Sequence, residues 1–125
     1  SIDLRHPDQA ILERVGNLVK ATCRTACIRC AVLVTEIATR SPCVFNPDVV
    51  DLVEETAAGL GLSSMRMPSG AFHDALFMHE ICPTGMVFVP CEKGISHNPA
   101  KNATPEDLAA GAQVLLATLV KLANA

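Results

Sequence analysis

Gly85-Met86-Val87-Phe88-Val89-Pro90, GMVFVP, runs directly into Cys91-Glu92-Lys93-Gly94-Ile95-Ser96-His97-Asn98-Pro99-Ala100, CEKGISHNPA. The first stretch is continuously apolar, as a strand covered on both faces is. The second is rich in the Gly, Ser, Asn and Pro of loops. Beyond it Thr104 is placed to cap a helix, with Pro105 in the first turn and Glu106 and Asp107 near the positive end. Leu108, Leu115, Leu116, Leu119 and Leu122 lie along one side of that helix. Strand, loop and helix in this order predict an α/β fold, and they leave a histidine in the loop at the strand's end.

The same reading extends towards the N-terminus. Asn46 and Pro47 form an N-cap and first-turn pair for a helix that the GLGL stretch stops at Gly59. SMRM, 64–67, reads as a short strand, and MPSGAFHDALFMHEIC turns from loop chemistry to a helix near Ala71. Earlier still, IDLR at 2–5 and AVLVTEIAT at 31–39 read as strands flanking a helix from about Pro7 to Cys30, a compact βαβ unit. RSPCVFNP, full of breakers, divides the chain into residues 1–42 and 43–125.

The 125 residues hold no Trp or Tyr and only four Phe, so the core must come from Val, Leu, Ile, Ala and Met. A second full domain is excluded, because single cores use roughly 100 to 150 residues. A net charge of −3 with scattered Lys and Arg leaves no basic footprint for nucleic acid or an anionic membrane. No apolar run approaches the ~20 residues of a membrane span, and SIDLRHPD has no signal-peptide pattern, so the expectation is a cytoplasmic protein.

Cys23, Cys27 and Cys30 make C-x3-C-x2-C, a spacing like the cluster loop of radical S-adenosylmethionine enzymes. The context differs, since Arg29 stands where those enzymes carry an aromatic and the flanks read as helix. The three also continue the stripe Ile11, Val15, Val19, the buried face of one helix, and thiols packed as small hydrophobes are expected. Cys43, Cys82 and Cys91 show no ligand spacing.

In α/β sheets ligands gather outside the carboxyl ends of the strands, within reach of both PSGAFHDA and EKGISHNP. His97 is either a metal ligand, its other ring nitrogen held by Asn98 or a carbonyl, or a loop histidine satisfied by backbone. His73 beside Asp74 is either an acid/base pair or the first turn of a helix. His6 and His79 read as surface residues.

SGAFHDA, GMVFVPCEKGISHNPA and TPEDLAAGAQVLLATLVKLA together resemble the C-terminal part of the zinc-dependent N-carbamoyl-L-amino acid hydrolases, allantoate amidohydrolases and β-ureidopropionases, relatives of aminoacylase and carboxypeptidase-type metallopeptidases. SIDLRHPDQAILERV resembles the lid and dimerisation domain of the same enzymes. The resemblance implies a lid/dimerisation βαβ unit in 1–42 and the C-terminal α/β segment of the catalytic domain in 43–125. It makes His97 one ligand of a two-zinc centre, with Mn2+, Co2+ or Ni2+ as alternatives. Arg5 becomes the guanidinium that grips the substrate carboxylate, and Gly70, Ala71, Phe72 and His73 line the substrate pocket. It further implies a carboxylate-bearing amide substrate and a homodimer of the complete enzyme.

Phe72 stands where the family usually has a second glycine, and Lys101 replaces a glutamate common after SHNP. The family's His-x-Asp, bridging aspartate, catalytic glutamate pair and further histidine have no counterpart. The chain is therefore expected to be a fragment, a processed chain or one subunit of a split protein. It should be inactive until joined by the N-terminal part of the same enzyme or a separate subunit. A non-catalytic binding or regulatory module on the same scaffold is the alternative.

Overall fold

A computed structural model describes residues 1–26 and 28–125. The chain forms two compact units, Ser1–Val44 with Pro68–Phe72, and Phe45–Met67 with His73–Ala125.

The first unit is built on α1, Gln9–Ala26. Asp8 caps it, its Oδ1 accepting from the Ile11 N–H at 3.0 Å. Ile11, Val15, Val19 and Cys23 share a half-buried face. The helix is shorter than the sequence suggests: it ends at Ala26 and leaves Cys30 exposed in a bend, so Cys30 is not part of the buried stripe. Cys27 lies outside the described residues. Lys20 on α1 donates to Glu36 at 2.7 Å, tying the 31–39 run to the helix by charge. That pairing holds the Glu36 carboxyl below its ordinary range, with a second hydrogen bond from Thr39 adding to the effect.

The second unit packs α2, Pro47–Gly59, against α4, Pro105–Ala123. Both N-caps are those the sequence predicts. Asn46 Oδ1 accepts from the Val49 N–H at 3.1 Å, and Thr104 Oγ1 accepts from the Asp107 N–H at 3.1 Å. Gly61 closes α2 in the left-handed region at φ 72°, with the Leu62 N–H reaching back to the Ala57 carbonyl at 3.0 Å. Arg66 reaches back to α2, donating to Asp51 at 2.7 Å and to Glu54, and these carboxylates raise its pKa. A short α3, Ala75–His79, begins four residues later than expected, because the Ser69 hydroxyl accepts from the Ala71 N–H and keeps that stretch a turn.

Among the described residues there is no strand. The runs 2–5, 31–39, 64–67 and 85–90 do not pair, and neither the βαβ unit nor the half-sheet forms among the described residues. A strand exists only through a ladder to a neighbour, so apolar, β-branched composition favours one without being sufficient. Residues 85–90 instead lie close against α2 and α4. A Cβ on Gly85 would meet Val49 Cγ1 of α2 at 2.9 Å, and one on Gly111 of α4 would collide with Val89 Cγ1.

That close approach decides which face of α4 turns inward. Val114 and Thr118 are buried, with Ala110, Gly111 and Ala117 half-buried beside them, opposite buried Thr56 and Ala57 of α2. The leucine side stays out, Leu116 being 64 % exposed. Lys121 extends the inward face by donating to Thr56 Oγ1 at 3.0 Å.

Candidate functional site

The loop after residue 90 is a braced hairpin of backbone. The Glu92 N–H donates to the Asn102 carbonyl at 2.8 Å, and Asn102 Nδ2 donates to Glu92 Oε2 at 3.1 Å, closing its mouth. Inside, Glu92–Gly94 makes one 3-10 turn, with Lys93 at φ 55° and Gly94 at φ 68°. His97 follows at φ 52°, the left-handed region that side chains with a Cβ avoid. Asn98 secures the next turn, its Oδ1 accepting from the Ala100 N–H at 2.9 Å and its carbonyl from the Lys101 N–H at 2.9 Å. Asn98 thus holds backbone and not the His97 ring. The result is an exposed imidazole on a fixed stem.

His73 is half-buried in the same unit, its ring 5.5 Å from that of Phe88 and tilted 59° to it. His79 is a correction to the sequence reading. It is not a surface residue: its ring meets Phe45 edge-on at 5.7 Å, and its buried Nδ1 has no hydrogen-bond partner among the described residues.

The other candidates belong to the first unit. Arg5 Nη1 donates to the Gly70 carbonyl, joining two motifs that lie 65 residues apart in sequence. Asp3 takes the other side of the guanidinium, its Oδ2 accepting from Nε at 3.0 Å and from Nη2. The side-chain hydrogen bond, backed by charge attraction, lowers the Asp3 pKa and raises that of Arg5. Arg40 lies over the Phe72 ring, 5.5 Å from its centroid. The structure thus brings Arg5, Gly70, Ala71 and Phe72 into one unit and sets His73 and His97 in the other. Sequence reasoning missed Asp3 and Arg40. Asp3 could have been found from its i, i+2 relation to Arg5, which puts two side chains on one side of an extended run.

Catalytic zinc takes three protein ligands, and no cluster of three His, Cys, Asp or Glu side chains suited to a metal occurs among the described residues. An exposed imidazole on a rigid loop fits one coordination position, and the residues described here do not complete a centre. Among the described residues no helix is long and apolar enough to cross a membrane.

Residues 6–121 match the model of the peptidase family M20/M25/M40, Arg5 standing just ahead of the matched span. The chain is 36 % identical to an N-carbamoyl-L-amino-acid amidohydrolase of Rhizobium meliloti, over 99 % of this chain and 30 % of that protein. It is 38 % identical to a ureidoglycolate hydrolase of Arabidopsis thaliana, over 97 % of this chain and 26 % of that protein. Among solved structures, an amidase of the hydantoinase/carbamoylase family from Burkholderia multivorans superposes with a TM-score of 0.86 at 40 % identity, covering 94 % of this chain and 29 % of that one. This chain therefore spans less than a third of the length of these relatives. With its fold shared with amidohydrolases and a family match over most of its length, the chain belongs to the peptidase family M20/M25/M40.

Proposed function

We propose that this chain supplies the carboxylate grip and one metal ligand of a zinc-dependent amidohydrolase that cleaves N-carbamoyl amino acids or related ureido acids. The observation that carries the reading is the Arg5–Gly70 contact, which joins the candidate carboxylate-binding motif to the candidate substrate loop. A guanidinium is planar, permanently charged and matched in geometry to a carboxylate. In this reading 1–42 is part of the lid and dimerisation domain, and 43–125 is the C-terminal part of the catalytic domain. The remaining metal ligands and the general base come from the rest of the same enzyme or from a separate subunit, in a homodimer.

Two zinc ions, when bound, supply polarisation of the amide carbonyl and acidification of a water, with Mn2+, Co2+ or Ni2+ able to take the same ligands. His97 would hold one metal ion through a ring nitrogen. Arg5 anchors the substrate carboxylate, and Gly70, Ala71 and Phe72 line the substrate pocket. His73, oriented by Phe88, donates a hydrogen bond towards the amide. Water and a carbamoyl amino acid yield the amino acid, ammonia and carbon dioxide.

His97→Ala tests the metal role in the complete assembly. It is expected to lose at least one metal ion per site and nearly all activity, because a missing ligand leaves the coordination sphere incomplete. Unchanged metal content on elemental analysis counts against it. Arg5→Lys tests the grip: zinc should be retained, while the preference for a carboxylate substrate over its carboxamide collapses.

A further inference from the structure

The guanidinium of Arg5 has five N–H donors, and the structure accounts for three of them. Nε and Nη2 converge on a single oxygen, Oδ2 of Asp3, and Nη1 donates to the Gly70 carbonyl. One N–H on Nη1 and one on Nη2 remain to donate to a substrate carboxylate. Arg5 and Asp3 are both exposed, so this remaining pair is accessible. Without a fixed partner a long arginine side chain samples many rotamers, and binding must then order it at a cost in entropy.

We propose that Asp3 is a positioning residue for substrate recognition, holding the side edge of the Arg5 guanidinium so that the N–H groups left on Nη1 and Nη2 face a substrate carboxylate already oriented. The Gly70 carbonyl is the second point of attachment. Asp3 does not compete with the substrate, because its oxygen uses Nε and Nη2 N–H groups that a ligand on the remaining pair does not need. Its charge also lowers the net positive charge of the site, so that the grip selects a carboxylate by geometry as well as by attraction. This rests on Arg5 reading the substrate carboxylate as proposed above.

The test uses the zinc-loaded complete assembly with N-carbamoylglycine and its carboxamide, read by steady-state kinetics and, in the metal-free assembly, by calorimetric titration. Asp3→Asn should raise KM and Kd for the acid about tenfold, as loss of a charge-assisted hydrogen bond does. It should leave kcat within about twofold, because the metal and base are untouched, and leave the carboxamide constants unchanged. Asp3→Glu should recover most of the affinity. Adding Asp3→Asn to Arg5→Lys should cost nothing further, since Asp3 acts only through Arg5. Unchanged or tighter binding of the acid by Asp3→Asn, or additive losses in the double variant, overturns the proposal. If Arg5→Lys itself keeps the full preference for the acid, the carboxylate role of Arg5 fails, and the Asp3 proposal falls with it.

Discussion

Gly111 shows how one missing atom sets a packing arrangement. In an exposed helix interior, Gly→Ala stabilises by about 1 kcal/mol. Here a Cβ would collide with Val89 Cγ1, so Gly111→Ala should destabilise by ~1 to 3 kcal/mol. Urea unfolding at constant m reads the difference, and Val89→Ala in the same chain should restore the normal sign. His97 is the opposite case, a side chain kept where glycine would be easier. At φ 52° the left-handed backbone costs roughly 1 to 2 kcal/mol, so His97→Gly should match or exceed the parent in stability while the complete assembly loses metal. A large drop in stability would make the histidine structural and not a ligand.

The two long helices of the second unit are secured at their starts by side-chain oxygens. Thr104 accepts from the Asp107 N–H and donates to Asp107 Oδ2 at 2.7 Å, a reciprocal cap with aspartate at the third position. Thr104→Ala should therefore cost ~1 kcal/mol, read by chemical denaturation, and because α4 rests on α2 the loss should appear in one transition of both helices. In the first unit the tie between α1 and the 31–39 run is an ion pair with a pH signature. The Glu36 pKa is lowered in the folded chain by its hydrogen bonds from Lys20 and Thr39. Its stabilisation is thus present above the ordinary glutamate pKa and disappears as pH falls through the depressed value. Glu36→Gln should be less stable than the parent near neutral pH and equal to it at the acid end, as thermal unfolding followed by circular dichroism across that range would report.

The chain as a whole leaves many apolar side chains in solvent. Ile28, Leu33 and Ile37 of the first unit are 94 %, 91 % and 89 % exposed, and the leucine side of α4 is open as well. A chain that spans less than a third of its relatives' length also holds no three-donor metal cluster among its described residues. On its own it should bind zinc weakly and hydrolyse no N-carbamoyl amino acid, because a single imidazole forms an incomplete site. Calorimetric zinc titration and an ammonia-release assay check this, and turnover by the isolated chain would refute the assignment.

The starts of α2 and α4 and the stop of α2 were legible in the amino acids, because each is a bond between near neighbours: Asn46 to Val49, Thr104 to Asp107, the glycine turn at Gly61. The end of α1 and the start of α3 were not, falling at Ala26 and Ala75. The motifs that carry the family likeness were legible for a related reason, since they are contiguous loops. What could not be read were relations between distant segments. The four runs with strand composition have no ladder, because pairing belongs to two segments and composition to one. The leucines of α4 look like a core stripe by size, yet Val89 admits only the small face at Gly111. His79 seemed a surface residue until Phe45 came to rest against it, and the contact between Arg5 and the Gly70 carbonyl joins residues 65 apart in sequence. Bonds spanning three or four residues survive in almost any surroundings, whereas burial and pairing depend on which parts of the chain arrive beside one another, and that follows from packing the whole.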